Sequence, residues 1–162
     1  MPYFKKVQIE NYTRSEAEAA LRKVSLKRTS PLDFSSAITD IGSDKLFLGY
    51  IGKSALTFTR LRTSVEKFLP KLVIKLPLDG EDCYYQLRLS VVSATVFILF
   101  TFGFLIAFAG ILSGNTEIGG LLSAAIFLGL YFALLAFEIK IVSNRIKKAL
   151  LKSQSAIHVR PF

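Results

Sequence analysis

Period-two alternation of apolar and polar residues runs from about residue 45 to residue 90 and then stops. "KLFLGYI" and "ALTFTRLR" flank Gly52-Lys53, which predicts a β-hairpin closed by two residues, with glycine in the first central position. In "KLVIKLP" Leu72, Ile74 and Leu76 share one face, and Lys71, Val73 and Lys75 the other. "CYYQLRLS" places Cys83, Tyr85, Leu87 and Leu89 together. These four segments predict an antiparallel meander.

Upstream, the period is helical. Ala17, Ala20, Leu21 and Val24 recur at i, i+3, i+4 and i+7, and Ser15 with Glu18 fits a capping box, so a short amphipathic helix is expected over residues 15–25. "YFKKVQIENY" reads as a strand only partly in register, and "DFSSAITDI" as a further helical turn.

Beyond Ser90 the polar positions vanish. Residues 91–112 and 118–137 carry no charge, and at about 1.5 Å per residue each stretch is roughly 30 Å long, the thickness of a bilayer's hydrocarbon core. They predict a transmembrane hairpin closed by "SGNTE". No linker separates it from the strand before it, so "YYQLRLSVVSATVFILF" is expected to act as a stiff joint, with Tyr84, Tyr85 and Arg88 at the membrane edge. In "EIKIVSNRIKKALLK", Ile139, Val142, Ile146 and Leu150 line one helical stripe. This predicts a helix running on into the headgroups, with a subunit-assembling coiled extension as the alternative.

Charge adds an orientation. Residues 1–88 hold 15 Lys/Arg and 10 Asp/Glu, residues 138–162 hold 6 and 1, and Glu117 is the only charge between. The turn at 113–117 lacks Lys and Arg, whereas Lys140, Arg145, Lys147, Lys148 and Lys152 follow the second span. The positive-inside rule then places both termini in the cytoplasm of a bacterial inner membrane, with the basic residues at its surface facing anionic lipid. The net charge of +9 has no dense basic run in the N-terminal part, so nucleic acid is not expected as a partner.

Candidate chemistry is sparse. With one histidine, His158, and one cysteine, Cys83, a typical zinc site or Cys-His dyad lacks a second member. Gly52-Lys53-Ser54 lacks the spacing of a phosphate loop, and Asp79, Glu81 and Asp82 read as a solvated acidic turn. Arg60 and Arg62 share a strand face. Where Arg88 joins them, they would make a basic patch for an anionic ligand or lipid headgroup. Gly103, Ala107 and Gly110 in the first span, and Ala125, Gly129 and Ala133 in the second, form small-residue rows suited to helix packing and homo-oligomer formation. No ionisable residue lies within either span, which argues against an ion relay.

"FLGYIGKSALTFTRLR", Phe68-Leu69-Pro70, "KLVIKLP" and "YYQLRLS", followed by the apolar hairpin, resemble a family of small uncharacterised bacterial membrane proteins. That resemblance implies topology and no chemistry.

The chain is thus expected to be α+β: a cytoplasmic meander domain with a short helix (1–90), a transmembrane helical hairpin (91–137) and a basic amphipathic tail (138–162). The expected function is non-enzymatic and cofactor-free. The cytoplasmic domain binds a ligand or protein partner and is rigidly coupled to an oligomerising hairpin, as in a membrane-perturbing effector or immunity protein of bacterial defence. The alternatives are an accessory subunit anchoring a larger complex and, third, a lipid-acting enzyme using the acidic turn.

Overall fold

The computed structural model describes residues 3–28, 32, 45–51, 55–77, 83–114 and 117–158. The fold is α+β, a six-stranded mixed sheet followed by two long helices. Strands β1 (Lys5–Gln8), β2 (Ser25–Arg28), β3 (Phe47–Ile51), β4 (Ala55–Arg60), β5 (Leu72–Pro77) and β6 (Tyr84–Leu89) lie in the order β1-β6-β5-β4-β3-β2. The four segments that alternate in sequence form the antiparallel run β3 to β6. Two short edge strands extend it: β1 pairs antiparallel with β6, and β2 parallel with β3. A parallel neighbour needs a long crossover, and the stretch between Arg28 and Phe47 supplies the length.

The β3–β4 register differs from the two-residue hairpin expected. Ile51 pairs with Leu56, so residues 52–55 lie between the last partners. Four-residue connections are a common hairpin solution, and this one keeps Leu56 and Phe58 on the buried face. The turn conformation at Gly52-Lys53 and the helical turn expected in "DFSSAITDI" lie outside the described residues.

Helix α1 (Arg14–Lys23) starts one residue earlier than its spacing suggests, because Thr13 is the cap. The Thr13 hydroxyl accepts from the Glu16 backbone N–H, and the Glu16 carboxylate accepts from the Thr13 N–H at 2.8 Å. This capping box replaces the one expected from Ser15 and Glu18. Residue Asn11 takes a positive φ of 63° in the preceding turn, a conformation Asn tolerates better than most.

Helix α2 (Val91–Leu112) follows β6 with Ser90 alone between them, and Gly114 at φ 72° stands just past its C-cap. Helix α3 runs unbroken from Ile118 to His158, 41 residues. Both are long and apolar enough to cross a membrane by length and composition, and 0% and 6% of their most apolar windows are buried in the protein. Those apolar stretches are therefore not part of the core of this sheet. They pack on each other through rings, with Phe100 stacked on Phe127 at 6.1 Å and Phe97 against Tyr131 at 5.6 Å.

Beyond its apolar half, α3 turns the stripe Val142, Ile146, Ala149 and Leu150 into the sheet's core, beside α1 and against Phe47, Leu56, Ile74, Tyr85 and Leu87. The segment expected to lie among headgroups is thus the second helix of the domain. The reason is area: an amphipathic sheet of six strands exposes more apolar face than one helix of 10 residues covers, and α3 supplies the remainder.

Candidate functional site

Buried charge gathers where the sheet meets the two long helices. The edge of β4 carries Arg60 on the covered face, 1% exposed, and Glu138 stands 0% exposed on α3, one residue beyond the expected end of its span. They form a bidentate pair, Arg60 Nε donating to Glu138 Oε1 at 3.1 Å and Arg60 Nη2 to Oε2 at 2.7 Å. Arg60 Nη1 pairs with Glu66 Oε1 at 2.6 Å. Arg62 reaches Glu138 Oε1 at 3.4 Å, and Arg145 of α3 lies 3.6 Å from Glu66 while donating to the Leu61 carbonyl at 3.0 Å. Three arginines and two carboxylates thus fasten β4, the 3₁₀ turn Val65–Phe68 and α3 together.

Each charge is held by several partners, as burial requires. Desolvation would lower Arg60, but Glu138 and Glu66 outweigh it and hold its guanidinium above the ordinary range. Arg62 is lower than usual, because burial outweighs the pull of Glu138. Burial would raise Glu66, yet the Thr63 N–H at 2.8 Å together with Arg60 and Arg145 keeps its carboxyl below the ordinary 4.5. A carboxylate lowered by folding stabilises fully above its unfolded value, and that stabilisation fades as pH falls through the folded one. Thermal unfolding of the full chain should therefore occur at lower temperature as pH drops below about 4.5. Glu66→Gln should flatten that decline, and equal slopes for both proteins would remove Glu66 as its source.

A second tie holds α2. Ser90 caps the helix by accepting from the Ser93 N–H, while its own N–H donates to the Lys71 carbonyl at 2.9 Å. The Lys71 N–H donates to Ser93 Oγ at 2.6 Å, and Tyr131 of α3 donates its hydroxyl to the Ser93 carbonyl at 2.6 Å. Strand β5, helix α2 and helix α3 therefore meet at one serine.

The residues singled out in sequence take different places. Arg88 pairs in register with Val73, and Val73 with Thr59, which puts it on the face opposite Arg60. Arg60, Arg62 and Arg88 thus do not form one basic patch, and Arg60 is consumed by carboxylates. Lys140, Lys147, Lys148 and Lys152 are exposed on α3. Lys152 stands 14 residues past Glu138, about 21 Å along the axis, so this row climbs the domain. Arg145 belongs to the buried joint. Of the small residues, Gly103, Ala125, Gly129 and Ala133 are exposed and Ala107 and Gly110 half-buried, and a Cβ on Gly103 or Gly129 would meet nothing within 4 Å. Packing within the hairpin thus does not require either glycine.

For chemistry the geometry offers little. Burial pushes the Cys83 thiol up against the opposing charge of Arg14. Among the described residues no three His, Cys, Asp or Glu side chains are grouped to hold a metal ion. Asp79, Glu81 and Asp82, Ser54, and the side chain of His158 lie outside those residues. Glu66, Glu138, Ser90 and Tyr131 were not anticipated. One signal pointed to Glu138: it is the sole acid in residues 138–162 and closes 20 uncharged positions.

Comparison of the chain with known protein families, with curated proteins and with solved structures finds no match.

Proposed function

We propose that this chain is a two-pass integral membrane protein that acts without catalysis, its α+β domain sensing a ligand or partner and transmitting that event to an oligomerising hairpin. The observation that carries this reading is the continuity of α3, which passes from an apolar span into the domain's core and is locked at the crossing by the buried Arg60–Glu138 pair. A helix shared by two compartments cannot shift in one without shifting in the other.

Orientation with both termini in the cytoplasm of a bacterial inner membrane is supported by Lys140, Lys147 and Lys148 beyond the span and by the absence of basic residues at 113–117. The outward rows through Gly103, Ala125, Gly129 and Ala133 are free to pack against another copy. Such an assembly suits a membrane-perturbing effector or immunity protein of bacterial defence.

In mild detergent the full chain should run as a homo-oligomer, and in vesicles it should raise dye leakage. A monomer that leaves vesicles tight overturns the proposal. A stoichiometric unrelated partner on affinity purification assigns the protein instead to anchoring a larger complex. Two joints, one through Ser90 and one through α3, also change the expected effect of a linker. Six Gly/Ser residues inserted between Ser90 and Val91 should weaken leakage without abolishing it, since α3 still transmits.

A further inference from the structure

The turn after β4 ends in Phe68, which at 85% exposure is the most exposed large apolar side chain among the described residues. Lys67 beside it is exposed as well. Both overhang a groove of about 390 Å³ that descends between α2 and α3 past Val96, Phe100, Phe127 and Leu134. From Val92 to Phe100 the groove covers about 12 Å of helix, all within the apolar part of the hairpin.

From Leu69 to Lys71, next to Phe68, the backbone polar groups are hydrogen-bonded within the protein. Leu69 N–H donates to the Glu66 carbonyl at 3.2 Å, the Leu69 and Pro70 carbonyls accept from Arg62 at 2.9 and 2.8 Å, and Pro70 has no N–H. Lys71 N–H is held by Ser93, and the Lys71 carbonyl by the Ser90 N–H. Irregular backbone enters an apolar medium only when its polar groups are satisfied internally. A water-exposed turn has no need of a half-buried arginine spent on two of its own carbonyls. The same Arg62 also touches Glu138 at the end of the span, which fixes the turn's height on the hairpin.

Resting on the two-pass reading above, we infer that residues 67–70 form a third membrane contact, a seat for one anionic phospholipid of the leaflet on the domain's side. The acyl chain lies in the groove under Phe68, and the phosphate meets Lys67. Lipid is the occupant because the groove walls belong to the two spans, and the one charged side chain at its rim among the described residues is a cation.

The chain contains no tryptophan, so single replacements report position directly. Phe68→Trp, Leu105→Trp (mid-span) and Leu151→Trp (exposed on α3, about 20 Å beyond Glu138) are placed in vesicles of phosphatidylglycerol and phosphatidylcholine. Either lipid is brominated near the glycerol or near the methyl end of its chains. Phe68→Trp should emit blue-shifted and be quenched most by glycerol-end bromines, more by phosphatidylglycerol than by phosphatidylcholine. Adding Lys67→Glu should erase that headgroup preference. Leu151→Trp should stay unquenched and Leu105→Trp respond to methyl-end bromines. A water-like, unquenched Phe68→Trp beside a quenched Leu105→Trp overturns the inference while leaving the two-pass reading intact. Shielding of Phe68→Trp from both bromolipid and aqueous iodide would mean that protein covers the groove, which also overturns it. If Leu105→Trp is unquenched too, the spans are not in the bilayer and both proposals fall.

Discussion

Glu138→Gln should lower the stability of the folded domain by about 3–5 kcal/mol, the usual result of leaving buried charge without its partner. The substitution keeps the shape of the side chain and removes the charge that holds Arg60 at 2.7 Å and Arg62 at 3.4 Å. Three arginines would then share Glu66 alone. In thermal unfolding this corresponds to roughly 6–20 °C for a chain of this size. Cys83 provides the readout: it is the sole cysteine, half-buried in the domain, so a thiol-reactive dye added to the detergent-solubilised full chain reports when the sheet opens. The companion variant, Arg60→Met with Glu138→Leu, should recover most of the loss, since apolar groups of similar volume replace a buried pair at little cost. A Glu138→Gln protein within about 0.5 kcal/mol of the parent would show that the pair contributes no more than a surface contact.

Neighbouring residues on α3 should behave in opposite ways. Ile146→Ala empties a site in the core and should cost about 2–5 kcal/mol, whereas Lys147→Ala, on the exposed side, should stay within about 0.5 kcal/mol. A chain that stops after Lys140 loses Val142, Ile146, Ala149 and Leu150 together, and its sheet should become protease-sensitive while the hairpin still inserts. The same dye assay and limited proteolysis check both. Were the segment a tail lying among headgroups, Ile146→Ala would leave the sheet's unfolding temperature unchanged.

The two helices of the hairpin, the four alternating strands and the amphipathic α1 all follow from patterns that repeat within a few residues. Alternation in "KLVIKLP" states which side is covered whatever covers it, and 20 uncharged residues describe a span whichever helix lies beside it. The edge strands were less legible. β1 and β2 hold four residues each, too few to display a period, and owe their conformation to the ladder they join. The capping box was misplaced by two positions because Ser15 and Glu18 mimic the Thr13–Glu16 pair in type and spacing.

By itself the sequence determined where the apolar surface lies: on one sheet face, on one stripe of residues 139–150, and all around residues 91–112. It did not determine what that surface meets, and the stripe fits a headgroup layer as well as a sheet. Only the tertiary structure placed Val142 and Ile146 against Leu56 and Ile74, parted Arg88 from Arg60, and brought Arg60 to Glu138 across 78 residues of chain. Hydrophobic burial is non-directional, so a local period records it in advance. An ion pair needs two particular atoms at one distance, and which carboxylate meets which guanidinium is known only after the strands and α3 have been laid across each other.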